Sequence, residues 1–347
     1  METTKQDILS LTLPELQKIC VEHGEKAFRA KQIYNWIWVN RVRSFEEMTN
    51  ISQSLRTFLT NSFYFKTVTV HSTQKSKDGT IKIAFELDDN HIIEGVLIPS
   101  GKRITACISS QVGCGLGCSF CATASLGFCR NLSVGEITDQ LFAIDALSVE
   151  TYSQTVTNIV YMGMGEPLLN YDAVIKSVRQ LTDKNGTGIA PSRITLSTVG
   201  LTDGIRALAD DSVACNLAVS IHFPDNKRRS AYMPVNAKNN LEDLSDALTY
   251  YYAQTNKRIS IEYTLLQGIN DSVDDASKLA EFTRQFPVKI NIIEYNPHAN
   301  SEFKPSDSQT RDKFVSFLEK LNLIVTVRYS KGKDIDAACG QLAQKNI

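Results

Sequence analysis

The stretch ITACISSQVGCGLGCSFC, residues 104–121, begins as an apolar, strand-like run and ends in Cys114, Cys118 and Cys121, interleaved with Gly113, Gly115 and Gly117. The cysteine spacing would also suit the buried stripe of a helix. Each glycine, however, costs a helix interior about 1 kcal/mol, and three so close together would undo one. A glycine-rich backbone instead curls tightly enough for three thiolates to converge on one centre. The chain has eight cysteines. In a reducing cytosol such a cluster reads as metal binding or catalysis rather than as disulfides.

Working outward, the loop is followed by strict alternation of strand and helix patterns. TNIVYMG, RITLST, VACNLAVSI, RISIEYTLL, KINIIEY and IVTVRYS are short apolar runs rich in β-branched residues. Between them lie amphipathic segments such as VGEITDQLFAIDAL, YDAVIKSVRQLTD and NLEDLSDALTYYYAQT. Repeated β–α units imply a parallel sheet with its ligands at the carboxyl ends of the strands, and about six units predict a partial (β/α)6 barrel of the α/β class. Upstream, residues 1–65 read as a small helical accessory domain. TVTVHSTQ, IKIAFEL and IIEGVLIP make 66–99 a linker or β extension, and the core spans 100–347.

Composition is that of a globular protein, 42% hydrophobic and 22% charged, with a net charge of −1. No apolar run approaches the roughly 20 residues of a membrane span. The opening METTKQDILSLTLPELQ lacks the basic-then-apolar order of a signal peptide, so a cytoplasmic protein is expected. Charge is unevenly spread. Between Lys26 and Arg43 there are five basic residues, no acid, and Phe28, Tyr34, Trp36 and Trp38. That mixture suits single-stranded RNA, with the aromatics expected mainly in a helical core and the cations facing phosphates. Lys227, Arg228 and Arg229 form a second candidate phosphate contact. Cys20, Cys129 and Cys215 are expected to be small buried hydrophobes.

Structural zinc takes four ligands, usually from CxxC pairs. CxxxCxxC supplies three, so zinc would need a fourth from Cys107, Cys129 or Cys339. A [4Fe–4S] cube held by three cysteines keeps one iron open for a ligand. The next strand closes in YMGMGEPLLN, where Gly165 lets a ligand approach the backbone and Glu166 is placed to accept from an ammonium. Ser197, the run Ser220, Ile221 and His222, and Asn296 stand at successive strand ends, where a barrel places ligand contacts.

CxxxCxxC after the first barrel strand resembles the signature of the radical S-adenosylmethionine (SAM) superfamily, in which SAM chelates the open iron and is cleaved to a 5′-deoxyadenosyl radical. CISSQVGCxxxCxxC, GFxRNL, MGMGEPLLN, ITLSTVG and DIDAACGQL, taken together over about residues 90–343, resemble the RlmN family of dual-specificity RNA methyltransferases. The resemblance implies a [4Fe–4S] cluster on Cys114, Cys118 and Cys121, with SAM contacted by Gly165, Glu166, Ser197, Ser220, Ile221, His222 and Asn296. It implies that two SAM molecules are used per methylation. Cys339 accepts a methyl group, the resulting methylene adds to C2 of adenine, Glu94 accepts a proton, and Cys107 resolves the adduct as a disulfide. It implies as substrates adenosine 2503 of 23S rRNA and adenosine 37 of tRNA, and a reductase or flavodoxin-type electron donor. The related Cfr enzymes modify C8; their motif has cysteine where Val112 stands and differs at GEPLLN, so the C2 reaction is expected here. A metal-stabilised RNA-binding protein without catalysis is the alternative that would leave Glu166, Cys107 and Cys339 without a use.

Overall fold

The computed structural model describes residues 5–298 and 301–343. The chain opens with β1 (Gln6–Asp7), α1 (Leu13–Glu22), α2 (Phe28–Trp38), α3 (Gln53–Ser62) and β2 (Phe63–Tyr64). Thr12 and Glu15 cap the start of α1 reciprocally, and β1 pairs in parallel with β2. Ile33, Tyr34, Ile37 and Trp38 of α2 pack with Leu16, Leu55 and Leu59 in a core of their own.

Three antiparallel strands follow: β3 (Thr69–Lys75), β4 (Ile81–Glu86) and β5 (Ile92–Ser100). They are no linker, because β5 pairs directly with β6 (Arg103–Cys107), the first strand of the parallel sheet. A hairpin of β7 (Gln111–Gly113) and β8 (Phe128–Asn131) then frames the cysteine loop, and α4 (Val134–Tyr152) leads back to β9 (Asn158–Tyr161). Next come α5 (Tyr171–Thr182), β10 (Ile194–Thr198), α6 (Thr202–Asp210), β11 (Asn216–Ser220), α7 (Asn226–Tyr232), α8 (Leu241–Thr255) and β12 (Ile259–Leu265). The chain continues through α9 (Val273–Phe282), β13 (Val288–Glu294), α10 (Ser308–Lys320) and β14 (Val325–Arg328).

The main sheet has ten strands in the order β14-β13-β12-β11-β10-β9-β6-β5-β4-β3. From β6 to β14 all pairs are parallel, and six helical crossovers connect these strands. This is the expected α/β partial barrel, with β14 as a further edge strand. Its strands alternate between the core and the lumen, so residues at their carboxyl ends converge at one mouth. Among the described residues no helix is long and apolar enough to cross a membrane.

Candidate active site

The cysteine loop is not helical: β7 ends at Gly113, and the backbone turns without regular structure until Cys121. Gly113 has φ +73°, and a Cβ there would stand 1.9 Å from the Gly127 carbonyl oxygen. Only glycine allows that closeness, which seats the loop on the base of the hairpin. Cys118 lies within electrostatic reach of Cys121, Cys114 and Glu166, and burial pushes the Cys114 thiol up to about 11.

Glu166 is buried behind this loop. Its two carboxylate oxygens accept from Leu168 N (3.1 Å) and Val199 N (2.9 Å), while its own N–H donates to Gln111 Oε1 (2.8 Å). Burial raises its carboxyl to about 7 against these bonds. Gly165, at φ +97°, lets the strand end press on Gln111, where a Cβ would stand 2.8 Å from the backbone nitrogen.

The other strand-end residues fall on the same rim. Ser197 and Ser220 are half-buried near the ends of β10 and β11, while the Ile221 side chain is core, which leaves its backbone as the polar part. His222 adopts φ +55° and accepts from Thr264 N through Nδ1 (3.0 Å). Burial, aided by Arg229, lowers its pKa to about 3, so it stays neutral and fixed as an acceptor at Nδ1. Asn296 follows β13. Its Nδ2 donates to Glu294 O (3.2 Å) and Cys339 O (3.3 Å), and its buried Oδ1 has no hydrogen-bond partner among the described residues.

That second bond belongs to a C-terminal strap laid across the mouth. Gly340 O accepts from Ala122 N (2.8 Å), Leu342 O from the Thr123 hydroxyl (2.7 Å), and Asp334 Oδ1 from the Ser76 hydroxyl (2.6 Å). The strap therefore ties the cysteine loop to the β3–β4 turn and brings Cys339 within electrostatic reach of Cys121 and Cys107. Cys339 keeps contact with solvent although protein surrounds it closely, as suits a residue lining a concave site. Burial pushes both the Cys107 and Cys339 thiols up to about 12, so each is neutral until it reacts.

Glu94 is 1% exposed and is the third residue of β5, opposite Ala84 of β4, rather than a residue at a wet strand edge. Its N–H donates to Met164 Sδ (3.3 Å), and its carbonyl accepts from the Ser109 hydroxyl (2.6 Å), which itself accepts from Met164 N (2.8 Å). These bonds lock β5 to the glycine–glutamate turn. Lys82, on β4, stands 3.4 Å from Glu94 Oε1 with both side chains buried. Its presence in IKIAFEL, a strand otherwise apolar on both sides of it, is the signal that the sequence reading passed over.

Several surface expectations are overturned. Tyr34 and Trp38 are core, but Arg41 and Arg43 do not face outward to phosphates: Arg41 pairs with Asp145, and Arg43 Nη2 lies 2.5 Å from Asp139 Oδ1. Both guanidinium groups also lie 5.0 Å from the Phe142 ring centroid, so they fasten the helical layer to α4. Arg228 is held by Asp225 and Asp275, and Arg229 is fully buried on Asn236 and Val199 carbonyl oxygens, so neither is a free phosphate contact. Cys129 is exposed rather than core, 3.1 Å from His91 Nε2.

Comparison with known proteins agrees with this geometry. Residues 6–64 match the model of the ribosomal RNA large subunit methyltransferase N-terminal domain, and residues 108–280 match that of the radical SAM superfamily. A probable dual-specificity RNA methyltransferase RlmN from Cytophaga hutchinsonii is 46% identical, over 100% of this chain and 95% of its own. A protein of the same description from Christiangramia forsetii is 47% identical, over 99% and 97%. The chain belongs to the RlmN family. The crystal structure of a radical SAM methyltransferase from Sphaerobacter thermophilus superposes with a TM-score of 0.91 at 38% identity, covering 97% of this chain and 99% of that one. Family membership makes this a SAM-dependent RNA methyltransferase, with a [4Fe–4S] cluster and SAM as its cofactors.

The residues present fit that cofactor pair. Cys114, Cys118 and Cys121 lie within electrostatic reach of one another on a single loop. A cube binds each thiolate on its own iron, so its sulfurs stand wider apart than those around a single zinc. The Asn296 acceptor and the Glu166 carboxylate, both buried, face the same mouth as the loop.

Proposed function

We propose that this chain methylates C2 of adenosine in RNA, at adenosine 2503 of 23S rRNA and adenosine 37 of tRNA, in the cytoplasm. The observation that supports the reading is that the strap brings Cys339 within electrostatic reach of Cys107 and of the cysteine loop, with Glu94 locked on the strand beside Cys107. When bound, the cluster and SAM supply a 5′-deoxyadenosyl radical, and a further SAM supplies the methyl group. Cys114, Cys118 and Cys121 hold three irons. Glu166 and the Gly165 backbone receive the ammonium of SAM. Ser197, Ser220, the Ile221 backbone, His222 and Asn296 position its ribose and adenine.

An adenine ring carbon is too weak a nucleophile to take a methyl group by direct displacement, whereas a thiolate is strong enough. Cys339 therefore takes the methyl first, and that carbon, after losing a hydrogen atom, bonds to C2. The adduct must also give up one electron, for which the cluster would be the acceptor, as Glu94 takes the proton from C2. The Cys107 sulfur then attacks that of Cys339: a disulfide forms as the S–C bond breaks, the carbon keeps the electron pair and takes the proton that the Cys107 thiol gives up, and the methylated base leaves. Renewing the dithiol and starting the next cycle call for a reductase or flavodoxin-type donor.

Residues 1–65 act in this reading as an RNA-binding accessory domain, with 66–99 as its β extension to the core at 100–347. Lys26 and Lys31 are exposed on the accessory domain, and Arg29 lies over the exposed Phe28 ring at 4.9 Å, a surface on which an unpaired base can stack. The test is an anaerobic assay of the reconstituted protein with SAM and total RNA. Release of deoxyadenosine with 2-methyladenosine in the digested RNA is expected. Formation of 8-methyladenosine, or protein that binds no iron and methylates nothing, overturns the reading.

A further inference from the structure

Lys82 is a buried cation to which the proposed chemistry gives no role. Its sequence neighbours Ile81 and Ile83 turn into the apolar core, and its own side chain turns the other way and is 4% exposed. Taking an ammonium out of water costs several kcal/mol, which a partner must offset. Stability alone is a poor reason to keep such a pair, because apolar side chains of similar volume usually serve as well or better.

Strand register shows where the pair points. Lys82 stands opposite Val96, Val96 opposite Cys107, and Glu94 opposite Ala84, two residues along from Lys82. Directly opposed residues of antiparallel strands share a face, and so do residues two apart on one strand. Lys82, Glu94 and Cys107 therefore lie on one face of three adjoining strands, the face that Cys339 meets from the strap.

We infer that Lys82 is a positioning residue for Glu94: its ammonium holds the carboxylate oriented toward the substrate base, ready for the proton from C2. Once that proton arrives on Glu94, the ammonium is left buried without a full counter-charge, which favours passing the proton onward and resetting the site. Lys82 from β4 is the cation paired with Glu94, at 3.4 Å, and Cys107 from β6 shares their face. The inference rests on the reading of Glu94 as proton acceptor.

The experiment compares Lys82→Met, Glu94→Gln and the double variant as reconstituted full-length protein, with Lys82→Gln as a second substitution should the methionine form fail to fold. Iron content, methylation of Cys339 and the deoxyadenosine formed in a single turnover are expected at parent levels in Lys82→Met. Turnover on 23S rRNA is expected to fall on the order of tenfold or more, with the RNA–protein adduct accumulating. In the Glu94→Gln background the lysine change should add nothing, because the two groups act as one unit. Full additivity, or Lys82→Met turnover within about twofold of the parent while Glu94→Gln is impaired, overturns the inference alone. A Glu94→Gln protein that turns over normally overturns the Glu94 reading, and the role of Lys82 with it.

Discussion

The mouth of the barrel and the seam under the N-terminal helices both bury charged and titratable groups, but with opposite consequences. At the mouth, Glu166, Glu94 and five cysteines crowd around a concave site lined by strand ends and the C-terminal strap. At the seam, Asp139 and Asp145 of α4 are buried and already paired with Arg43 and the partly exposed Arg41, and buried Asp7 accepts from Leu9 N and Lys66 N. Burial raises electrostatic stakes in both regions. Groups at the mouth are poised to gain or lose bonds to a ligand, whereas those at the seam have spent theirs on docking one layer to another. Substitutions should therefore separate: chemistry without stability at the mouth, stability without chemistry at the seam.

The largest effect is expected for Cys114→Ala, which should lose bound iron, its visible absorbance and all methylation while the helical layer still folds. Retention of iron and activity would remove Cys114 from the ligand set. Cys107→Ala should keep the cluster and complete one round of bond formation, leaving RNA attached to Cys339 on a denaturing gel. Multiple turnovers by that variant would argue against its resolving role.

Arg43→Ala strips Asp139 of its ionic partner, although Val68 N still donates to the carboxylate at 3.0 Å. A loss of about 1–3 kcal/mol is expected, read as a lower midpoint in thermal or urea unfolding, with deoxyadenosine release unchanged. A fall in radical chemistry with no fall in stability would blur the division between the two regions.

The smallest effect concerns Asp7. Burial raises its carboxyl to about 6 although Oδ1 accepts from Leu9 N and Lys66 N, and its Oδ2 is buried without a hydrogen-bond partner among the described residues. A folded-state pKa above the unfolded one means that the favourable contribution is complete below about pH 4 and is lost as pH rises through 6. Asp7→Asn, which keeps the accepting oxygen, should melt higher than the parent at pH 8 by the equivalent of about 1–2 kcal/mol. The gap should close as pH falls from 6 to 4. A constant gap across that range would remove the titration as its cause.

Legibility in the sequence followed the range of the interactions. The parallel strands and their helices were readable because each carries its own apolar periodicity, and Gly113, Gly115 and Gly117 marked the cysteine loop as non-helical. The β7–β8 hairpin was not readable, being three and four residues long with a register shift at Val112. Arg41 and Arg43 were misread because a cation's partner, here on α4, leaves no trace in its own segment. Glu94 looked equally suited to a wet edge, since nothing in IIEGVLIP tells that strands pair on both of its sides.

By itself, the sequence determined the α/β alternation, the three-cysteine loop and the order of the strand ends that rim the mouth, because backbone propensity and apolar period act over a few residues. Only the tertiary structure decided that Cys339 returns across the mouth to Cys107, that Lys82 shares a face with Glu94, and that the basic residues after α2 bind acids rather than phosphates. Those outcomes depend on pairings between distant segments, whose energies come from burial and complementary charge and are set only when the sheet and strap assemble.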